Sequence, residues 1–358
     1  MVIRLDLSEN DSQWSAAPSS AAESFGNGAA DELPVLGPRA TLDDPAVPRG
    51  IQDWLGPGLS FEDLGGSVNL NVKITNEGGV TALVRVHRPW ESLARLRAVR
   101  ELRRRLRARG LRVAAPLCGD SDGVARVGGR WAEVEEYLPV KLGAPEPQAL
   151  VAALVKLHQR GRGCWDVNWP RPALPNFDSG SRVATWLARS RNRLQRLGLW
   201  EEFGPTAMRL VGLLQRHDAD VGWRLPKVLT HGDLTWTNCG SSPTGEHVYL
   251  DFDVAAPASR LSDLASLVMA LVHQQGGDAV ALLRVANDLL RTYSDATSLP
   301  VSKDEWKSLP AELLRASLTS AARAGFTSAP SGPRDQLVEG IAIARALEPE
   351  VVDRLQPT

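Results

Sequence analysis

Apolar and polar residues alternate along two stretches in the first half of the chain. Residues 68–88 read "VNLNVKITNEGGVTALVRVHR", and residues 124–139 read "VARVGGRWAEVEEYLP". Alternation with a period of two places the apolar side chains on one face of a β-strand. In both stretches a glycine pair interrupts the alternation, which is typical of a tight hairpin turn. The pattern therefore predicts two β-hairpins.

A different period separates the two hairpins. Residues 91–110, "ESLARLRAVRELRRRLRARG", carry apolar residues every three or four positions and end on Gly110; these residues are Leu93, Leu96, Val99, Leu102 and Leu106. This spacing predicts a helix with one apolar stripe that stops at the glycine. We expect a small antiparallel sheet with this helix packed on it.

Helical periodicity dominates after Pro139. It is clearest in "PQALVAALVKLHQ", "RVATWLARSRNRLQRLG" and "AVALLRVANDLLRTY", while "KVLT" and "HVYLDF", within residues 227–252, are two short strand-like runs. The predicted fold class is α+β, with a small β lobe at residues 46–138 and a larger, mainly helical lobe at 139–358. Residues 1–45 contain few large apolar side chains, and we expect a disordered tail there.

Composition narrows the function classes. The chain has 358 residues, 43% of them hydrophobic, and a net charge of −1. The helix at 92–112 holds nine arginines but no interleaved aromatic residue, so a solvated basic face is expected and nucleic acid is not an expected partner. Cys118, Cys164 and Cys239 lack zinc-ligand spacing.

Membrane insertion is also not expected. The first residues turn acidic where a signal peptide would become apolar, and the apolar run "LVMALV" is too short to span a bilayer. These features favour a cytoplasmic protein.

The strongest chemical pattern is "HGDLTWTN" at residues 231–238, followed by "LDFD" at 250–253. Asp233 and Asp251 each end a short apolar strand, and a hairpin between those strands would bring their carboxylates together. Asn238 adds a neutral oxygen ligand, and a few oxygen ligands suit Mg²⁺, which completes its shell with water and phosphates. If Asn238 and Asp251 hold the metal, Asp233 is free to accept a hydroxyl proton, as phosphoryl transfer requires. Each residue alone is also a common turn former.

Together, "HGDLTWTN", "VYLDFD" and "SRLSDLA" resemble the aminoglycoside phosphotransferase and choline kinase family, which has a protein-kinase-like fold. The resemblance implies that Asp233 is the catalytic base and that Asn238 and Asp251 bind Mg²⁺. It implies structural roles for His231 and Asp263, which would brace the catalytic loop.

The resemblance also implies a nucleotide-binding set in the small lobe. Arg85 in "TALVRVHR" would grip the ATP phosphates where many family members carry lysine, with Lys73 as its rival. Glu101 would pair with this cation, with Glu91 as the alternative.

Two further segments complete the expected nucleotide site. Gly65, Gly66, Ser67 and Asn69 occupy the place of the phosphate-covering loop. Glu136 and Leu138, in the connector after the second hairpin, would contact adenine.

The sequence leaves the acceptor open. The first hypothesis is an ATP- and Mg²⁺-dependent kinase of a small-molecule hydroxyl, on an antibiotic, an amino sugar or a choline- or homoserine-like metabolite, with GTP as an alternative donor. The second is a kinase of serine or threonine in a peptide of a natural-product pathway, and the third is an inactive nucleotide-binding module. Dispersed carboxylates (Asp178, Asp218, Asp220, Glu348 and Glu350) and three tryptophans (Trp165, Trp169 and Trp236) are the candidate acceptor contacts.

Overall fold

The computed structural model describes residues 39–66, 68–118, 123–143, 146–166, 169–170, 179–275, 279–324 and 332–355. The strands are β1 (Ser60–Asp63), β2 (Leu70–Thr75), β3 (Thr81–Val86), β4 (Arg112–Val113), β5 (Val124–Val127), β6 (Arg130–Glu136), β7 (Lys227–Thr230), β8 (Cys239–Ser241), β9 (His247–Tyr249) and β10 (Ala256–Ser259). The helices are α1 (Ala46–Leu55), α2 (Leu93–Ala108), α3 (Pro147–Arg160), α4 (Gly180–Arg196), α5 (Trp200–Asp220), α6 (Arg260–Gln275), α7 (Ala279–Ala296), α8 (Lys303–Ala324) and α9 (Gly332–Leu355), with a 3₁₀ turn at Gly222–Arg224.

The chain divides into two compact units. The first contains the described residues up to Pro89 together with Cys118–Tyr137, and the second contains Trp90–Leu117 and the chain from Leu138 onward. The α+β class predicted from the sequence is confirmed, because an antiparallel sheet forms the first unit and helices dominate the second. The helix α2, which we expected to pack on the sheet, is grouped with the second unit.

Both predicted hairpins are present in the first unit, whose strands are ordered β1-β2-β3-β6-β5 with antiparallel pairing. In the first hairpin the side chain of Asn76 accepts the Val80 N–H at 2.9 Å, and Gly79 takes a φ of 76°. In the second, Gly128 and Gly129 take φ of 55° and 76°. Such left-handed turns match the twist of the paired strands and favour glycine.

The two faces of this sheet differ in polarity. The apolar face includes Leu70, Val72 and Ile74 of β2, all buried. The helix α1, which residue patterning did not predict, packs beside β5; a Cβ at Gly50 would lie 3.4 Å from Val127. The opposite face carries charged residues. Lys73 pairs in register with Leu83 on this face, and Arg85, two residues after Leu83, pairs with Glu133.

The second unit contains α2–α9 and two small sheets. One sheet pairs β7 with β10 in antiparallel fashion, and the other has the order β4-β9-β8. The "KVLT" strand is confirmed as β7, whereas the "HVYLDF" strand ends at Tyr249, before the aspartate. No helix in the described part of the chain is long and apolar enough to cross a membrane.

The expected solvated arginine face of α2 is wrong for three of its residues. Arg95, Arg100 and Arg103 are buried, with exposed fractions of 1%, 0% and 5%. Arg95 and Arg100 donate to main-chain carbonyls. Main-chain oxygens therefore accept hydrogen bonds from two charged groups that helical periodicity alone assigns to solvent.

Residues 1–38 lie outside the described part of the chain, so the expected tail is described only from Arg39 onward. Arg39 forms an ion pair with Asp63 and donates from Nε to the Asn69 carbonyl at 3.1 Å. These contacts tie the segment before α1 to the first sheet.

Candidate active site

Two strand pairs hold the two chemical motifs of the second unit. The loop 231–238 connects β7 to β8, and the segment 250–255 connects β9 to β10. Because β7 pairs with β10 and β8 pairs with β9, each motif is anchored to the other at both ends. The expected hairpin between the "KVLT" and "HVYLDF" strands is wrong, since these strands pair with other partners. The two separate pairings bring the motifs together instead.

The loop 231–238 begins on a buried carboxylate. Asp263, in the first turn of α6, accepts the main-chain N–H of His231 at 2.8 Å and that of Gly232 at 2.7 Å. Gly232 has a φ of 80°, which favours glycine. The His231 ring donates from Nε2 to the Leu250 carbonyl at 2.7 Å, so it connects the loop to the residue before Asp251.

The sequence did not point to His158 as a partner of Asp263. Nε2 of this buried histidine, on α3, lies 2.9 Å from the Asp263 carboxylate, and its Nδ1 lies 2.8 Å from the Tyr293 hydroxyl. Burial raises the pKa of Tyr293 to about 12, so its hydroxyl remains a donor at neutral pH. Three elements, α3, α6 and α7, therefore fix the start of the loop. The only available signal was a histidine on the apolar side of α3.

Asn238 holds the carboxylate of Asp233. Its amide nitrogen donates to Oδ2 and to the carbonyl of Asp233, both at 2.9 Å. The main-chain carbonyl of Asn238 accepts the Leu250 N–H at 2.9 Å, which places Asn238 beside the residue preceding Asp251. Since both amide-nitrogen contacts are to Asp233, the amide oxygen of Asn238 is oriented away from that carboxylate.

Asp251 adopts a left-handed backbone conformation, with a φ of 56°. Non-glycine residues in this region are uncommon, although aspartate tolerates it better than most, and the strain costs on the order of 1 kcal/mol. The next residue, Phe252, is buried against the His231 ring, with ring centroids 4.7 Å apart. The structure therefore holds Asp251 in a strained conformation between two well-anchored neighbours.

Burial and the surrounding charges shift the pKa of Asp233. Burial raises the pKa of this carboxyl above its usual range and the negative charge of Asp251 raises it further, while Arg323, His231 and the Asn238 amide oppose the rise. A raised pKa makes the ionised carboxylate a stronger proton acceptor.

The donor set suits a hard divalent cation. Asp251 offers carboxylate oxygens and Asn238 an amide oxygen, whereas the described residues contain no group of three or more histidine, cysteine, aspartate or glutamate side chains able to hold a metal. Mg²⁺ commonly binds through one or two carboxylates and completes its shell with water and substrate phosphates. The residues present therefore fit Mg²⁺ and do not form a protein cage for zinc.

The first unit carries the two candidate phosphate-binding cations. Arg85 is buried, and its Nη2 lies 3.7 Å from Oε1 of Glu135 on the neighbouring strand. Lys73 is partly exposed, donates to Glu62 at 2.9 Å and lies 5.3 Å from the centre of the Tyr137 ring.

Glu101 and Arg85 belong to different units. On its own helix, Glu101 accepts from Arg105 at 2.8 Å and Arg104 at 3.4 Å. Its pairing with Arg85 stays a prediction, as does the alternative pairing by Glu91.

The glycine loop between β1 and β2 is held by its own polar groups. A Cβ at Gly66 would lie 2.7 Å from the Asn69 carbonyl, and the Asn71 amide donates to the Gly65 carbonyl at 3.1 Å. Gly65 and Gly66 take φ of 86° and 117°. Asn69 is buried, and Ser67 lies outside the described residues. At Gly66, glycine is therefore required by sterics.

The connector residues belong to different units, since Glu136 lies in the first and Leu138 in the second. Glu136 ends β6 and is half-buried, while Leu138 is buried in a cluster with Ala114 and Val248 of the second unit. Their contacts with adenine stay a prediction.

A comparison with protein-family models shows which family the chain belongs to. The model of the phosphotransferase enzyme family matches residues 62–297, about two-thirds of the chain. The chain belongs to the phosphotransferase enzyme family. It is therefore a phosphotransferase, and the resemblance in the loop motifs is confirmed. No curated protein sequence matches this phosphotransferase.

Solved structures share its fold. An aminoglycoside phosphotransferase from Alicyclobacillus acidocaldarius is 18% identical, with a TM-score of 0.54, and the alignment covers 88% of this chain and 96% of that one. The choline kinase LicA from Streptococcus pneumoniae is 16% identical, with a TM-score of 0.54 and coverage of 85% and 97%. The amicoumacin kinase hAmiN, in complex with AMP-PNP, Ca²⁺ and Ami, is 15% identical, with a TM-score of 0.57 and coverage of 83% and 90%.

Proposed function

We propose that this phosphotransferase moves the γ-phosphoryl group of ATP to a hydroxyl of a small-molecule acceptor, with Asp233 as the base. The observation that carries the proposal is the contact of Asn238 with Asp233, combined with the hydrogen bond from Leu250 to the Asn238 carbonyl. These contacts support the proposal because they tie Asn238 both to the Asp233 carboxylate and to the residue before Asp251. The amide oxygen of Asn238 and the carboxylate of Asp251 suit Mg²⁺, and the carboxylate of Asp233 suits proton transfer.

The proposed reaction transfers one phosphoryl group and one proton. The acceptor oxygen forms a bond to the γ-phosphorus, the bond from that phosphorus to the bridging oxygen breaks, and ADP leaves with the electron pair. The acceptor proton passes to the Asp233 carboxylate, whose raised pKa favours its capture. Mg²⁺ held by Asn238 and Asp251 would neutralise phosphate charge. Arg85, or Lys73 in its place, would bind the phosphates of the nucleotide.

The carboxylates of the helical unit favour an acceptor that is not strongly cationic. Asp218 pairs with Arg315, Glu348 with Arg209, and Glu350 with Arg354 at 3.7 Å. Asp220 is exposed, and Asp178 lies outside the described residues. Because a polycationic antibiotic needs several carboxylates free of competing cations, we infer a neutral, zwitterionic or anionic hydroxyl compound as the acceptor. The amicoumacin kinase hAmiN, in complex with AMP-PNP, Ca²⁺ and Ami, is a precedent within the fold for a nucleotide analogue and a divalent cation bound together with a further ligand.

A transfer screen with γ-³²P-labelled ATP and Mg²⁺ tests this proposal. The acceptors are hydroxyl-bearing antibiotics, amino alcohols, amino acids and serine- or threonine-containing peptides, and γ-labelled GTP is a second donor. The Asp233→Asn protein, prepared identically, measures background transfer. Label on a small hydroxyl compound, absent with Asp233→Asn, supports the proposal. Label on peptides alone supports the peptide-kinase alternative, and nucleotide binding without transfer to any acceptor supports the inactive module.

A further inference from the structure

Arg95 of α2 bonds several main-chain carbonyls, and three of them lie in the segment that follows Asp251. Its Nη2 lies 2.6 Å from the Ala255 carbonyl, 2.8 Å from that of Asp253 and 3.4 Å from that of Phe252. Its Nη1 donates to the Pro170 carbonyl at 2.8 Å. The residue is 1% exposed. All of these residues belong to the second unit.

Burial of a guanidinium is unfavourable unless its donors are satisfied. Here Nη1 and Nη2 bond main-chain carbonyls, and the planar, multidentate guanidinium lets one side chain contact several of them, whereas the buried Nε has no hydrogen-bond partner among the residues that the structure describes. Trp169 reinforces the arrangement: its indole N–H donates to the Ala255 carbonyl at 3.1 Å, and its ring lies 5.3 Å from the guanidinium carbon of Arg95. Two side chains therefore converge on one carbonyl.

The clamped segment is short and adjoins the strained aspartate. The Ala255 N–H donates to the Phe252 carbonyl at 3.0 Å, which closes a turn, and the Asp253 N–H donates to Oδ1 of Asp251 at 3.3 Å. The left-handed φ of Asp251 persists only if the surrounding structure fixes it. On its amino-terminal side, the His231 ring and the Asn238 carbonyl bind Leu250. On its carboxy-terminal side, Arg95 bonds three of the next four residues.

We propose that Arg95 is a positioning residue for the metal site: it fixes the turn at residues 252–255 and thereby holds the Asp251 carboxylate in the orientation that binds Mg²⁺. The inference rests on the proposed role of Asp251 as a metal ligand. It assigns to α2 a function distinct from the expected Glu101 pairing, since the helix supports the metal ligand through main-chain carbonyls.

The same helix offers a matched control. Arg100 is 0% exposed and donates from Nη2 to the Leu117 carbonyl at 3.0 Å, outside the turn at 252–255. Replacing either arginine by methionine removes one buried guanidinium from α2. A role limited to the stability of the helix would give the two variants the same phenotype.

The test is a Mn²⁺ titration followed by electron paramagnetic resonance in the presence of AMP-PNP, a readout that needs neither an acceptor nor turnover. We expect Arg95→Met to weaken Mn²⁺ binding by at least about tenfold, the low end for loss of a group that orients a metal ligand. The Mn²⁺ affinity of Arg100→Met should stay within about twofold of the parent value, because the proposal gives Arg100 no role at the metal site. The Mn²⁺ affinity of Arg95→Lys should lie between those of the parent protein and Arg95→Met, because an ammonium group replaces only some of the guanidinium N–H donors.

Thermal unfolding of each variant without metal separates folding from positioning. If Arg95→Met does not fold, Trp169→Phe carries the test: it removes one hydrogen bond to Ala255 and should weaken Mn²⁺ binding by about threefold. Equal Mn²⁺ affinity in Arg95→Met and the parent protein, or equal losses in the Arg95 and Arg100 variants, overturns the inference. If Arg95→Met does not fold, an unchanged Mn²⁺ affinity in Trp169→Phe also overturns the inference. Asp251→Ala separates failure of the role assigned to Arg95 from failure of the proposed metal site. If Asp251→Ala leaves Mn²⁺ binding unchanged, the proposed metal site itself is wrong.

Discussion

The Asp263 carboxylate lies 2.8 Å from the main-chain nitrogen of His231, a residue 32 positions earlier in the chain. The same carboxylate accepts the Gly232 N–H and contacts the buried ring of His158. One aspartate on α6 therefore fixes the start of the loop that carries Asp233, although it provides no atom for the proposed reaction.

Replacing Asp263 by asparagine is expected to lower kcat on the order of 100-fold, because a displacement of about 1 Å in a reacting group has an effect of this size. An amide offers only one oxygen and adds donors that face the N–H groups of His231 and Gly232. Steady-state kinetics with the acceptor identified in the screen measures the change. Tyr293→Phe is the control, since it removes the hydroxyl that contacts His158 but leaves the Asp263 carboxylate in place, and it should reduce kcat by less than about tenfold. A larger loss in Tyr293→Phe than in Asp263→Asn would contradict the assigned brace.

Asp233→Asn is expected to stabilise the metal-free protein at pH 8 by about 1 kcal/mol, as is common when a strained functional group is removed. The folded-state pKa of Asp233 is raised, so the folded protein retains this proton better than the unfolded chain. The ionised carboxylate therefore destabilises the fold above the raised pKa. The difference between variant and parent should vanish below the unfolded value of about 3.9. Urea unfolding in EDTA at several pH values measures it; a parent protein more stable than Asp233→Asn at pH 8 would contradict the shift.

The two cations of the first sheet should differ in their effects on nucleotide binding. Arg85→Met should raise the KM for ATP by about tenfold or more, the size expected for loss of charge-assisted hydrogen bonds, and Lys73→Met by less than about twofold. Lys73 is partly exposed and paired with Glu62, whereas Arg85 lies within the sheet beside Glu135. Arg85→Lys, which keeps the charge, and unfolding curves for all three variants serve as controls. The reverse order of effects would assign the phosphate contact to Lys73.

Local patterns in the sequence predicted the features that depend on residues close together in the chain. Alternation together with Gly128 and Gly129 was sufficient for the second hairpin, since the turn conformation favours glycine. The spacing within "HGDLTWTN" led to the family because the loop is continuous in the chain. At Gly110, the predicted helix end was correct to within two residues, as α2 ends at Ala108.

Long-range pairing was not predictable in this way. The partner of β7 is β10 rather than the strand before Asp251, and no local signal distinguishes those alternatives. Arg95 looked like a solvent residue because its acceptors, such as the Ala255 carbonyl, are main-chain oxygens that any sequence supplies. His158 and Asp263 meet across 105 positions, and only the packing of α3 on α6 brings them together.

The most direct measurement of the proposed chemistry compares phosphoryl transfer and nucleotide affinity in Asp233→Asn. The variant keeps the shape of the side chain but cannot accept the acceptor proton, so transfer to the identified acceptor should fall at least about 100-fold. Calorimetric affinity for AMP-PNP with Mg²⁺ should stay within about threefold of the parent value, because Asn238 and Asp251 are unchanged. Turnover comparable to that of the parent protein would contradict the assignment of Asp233 as the base.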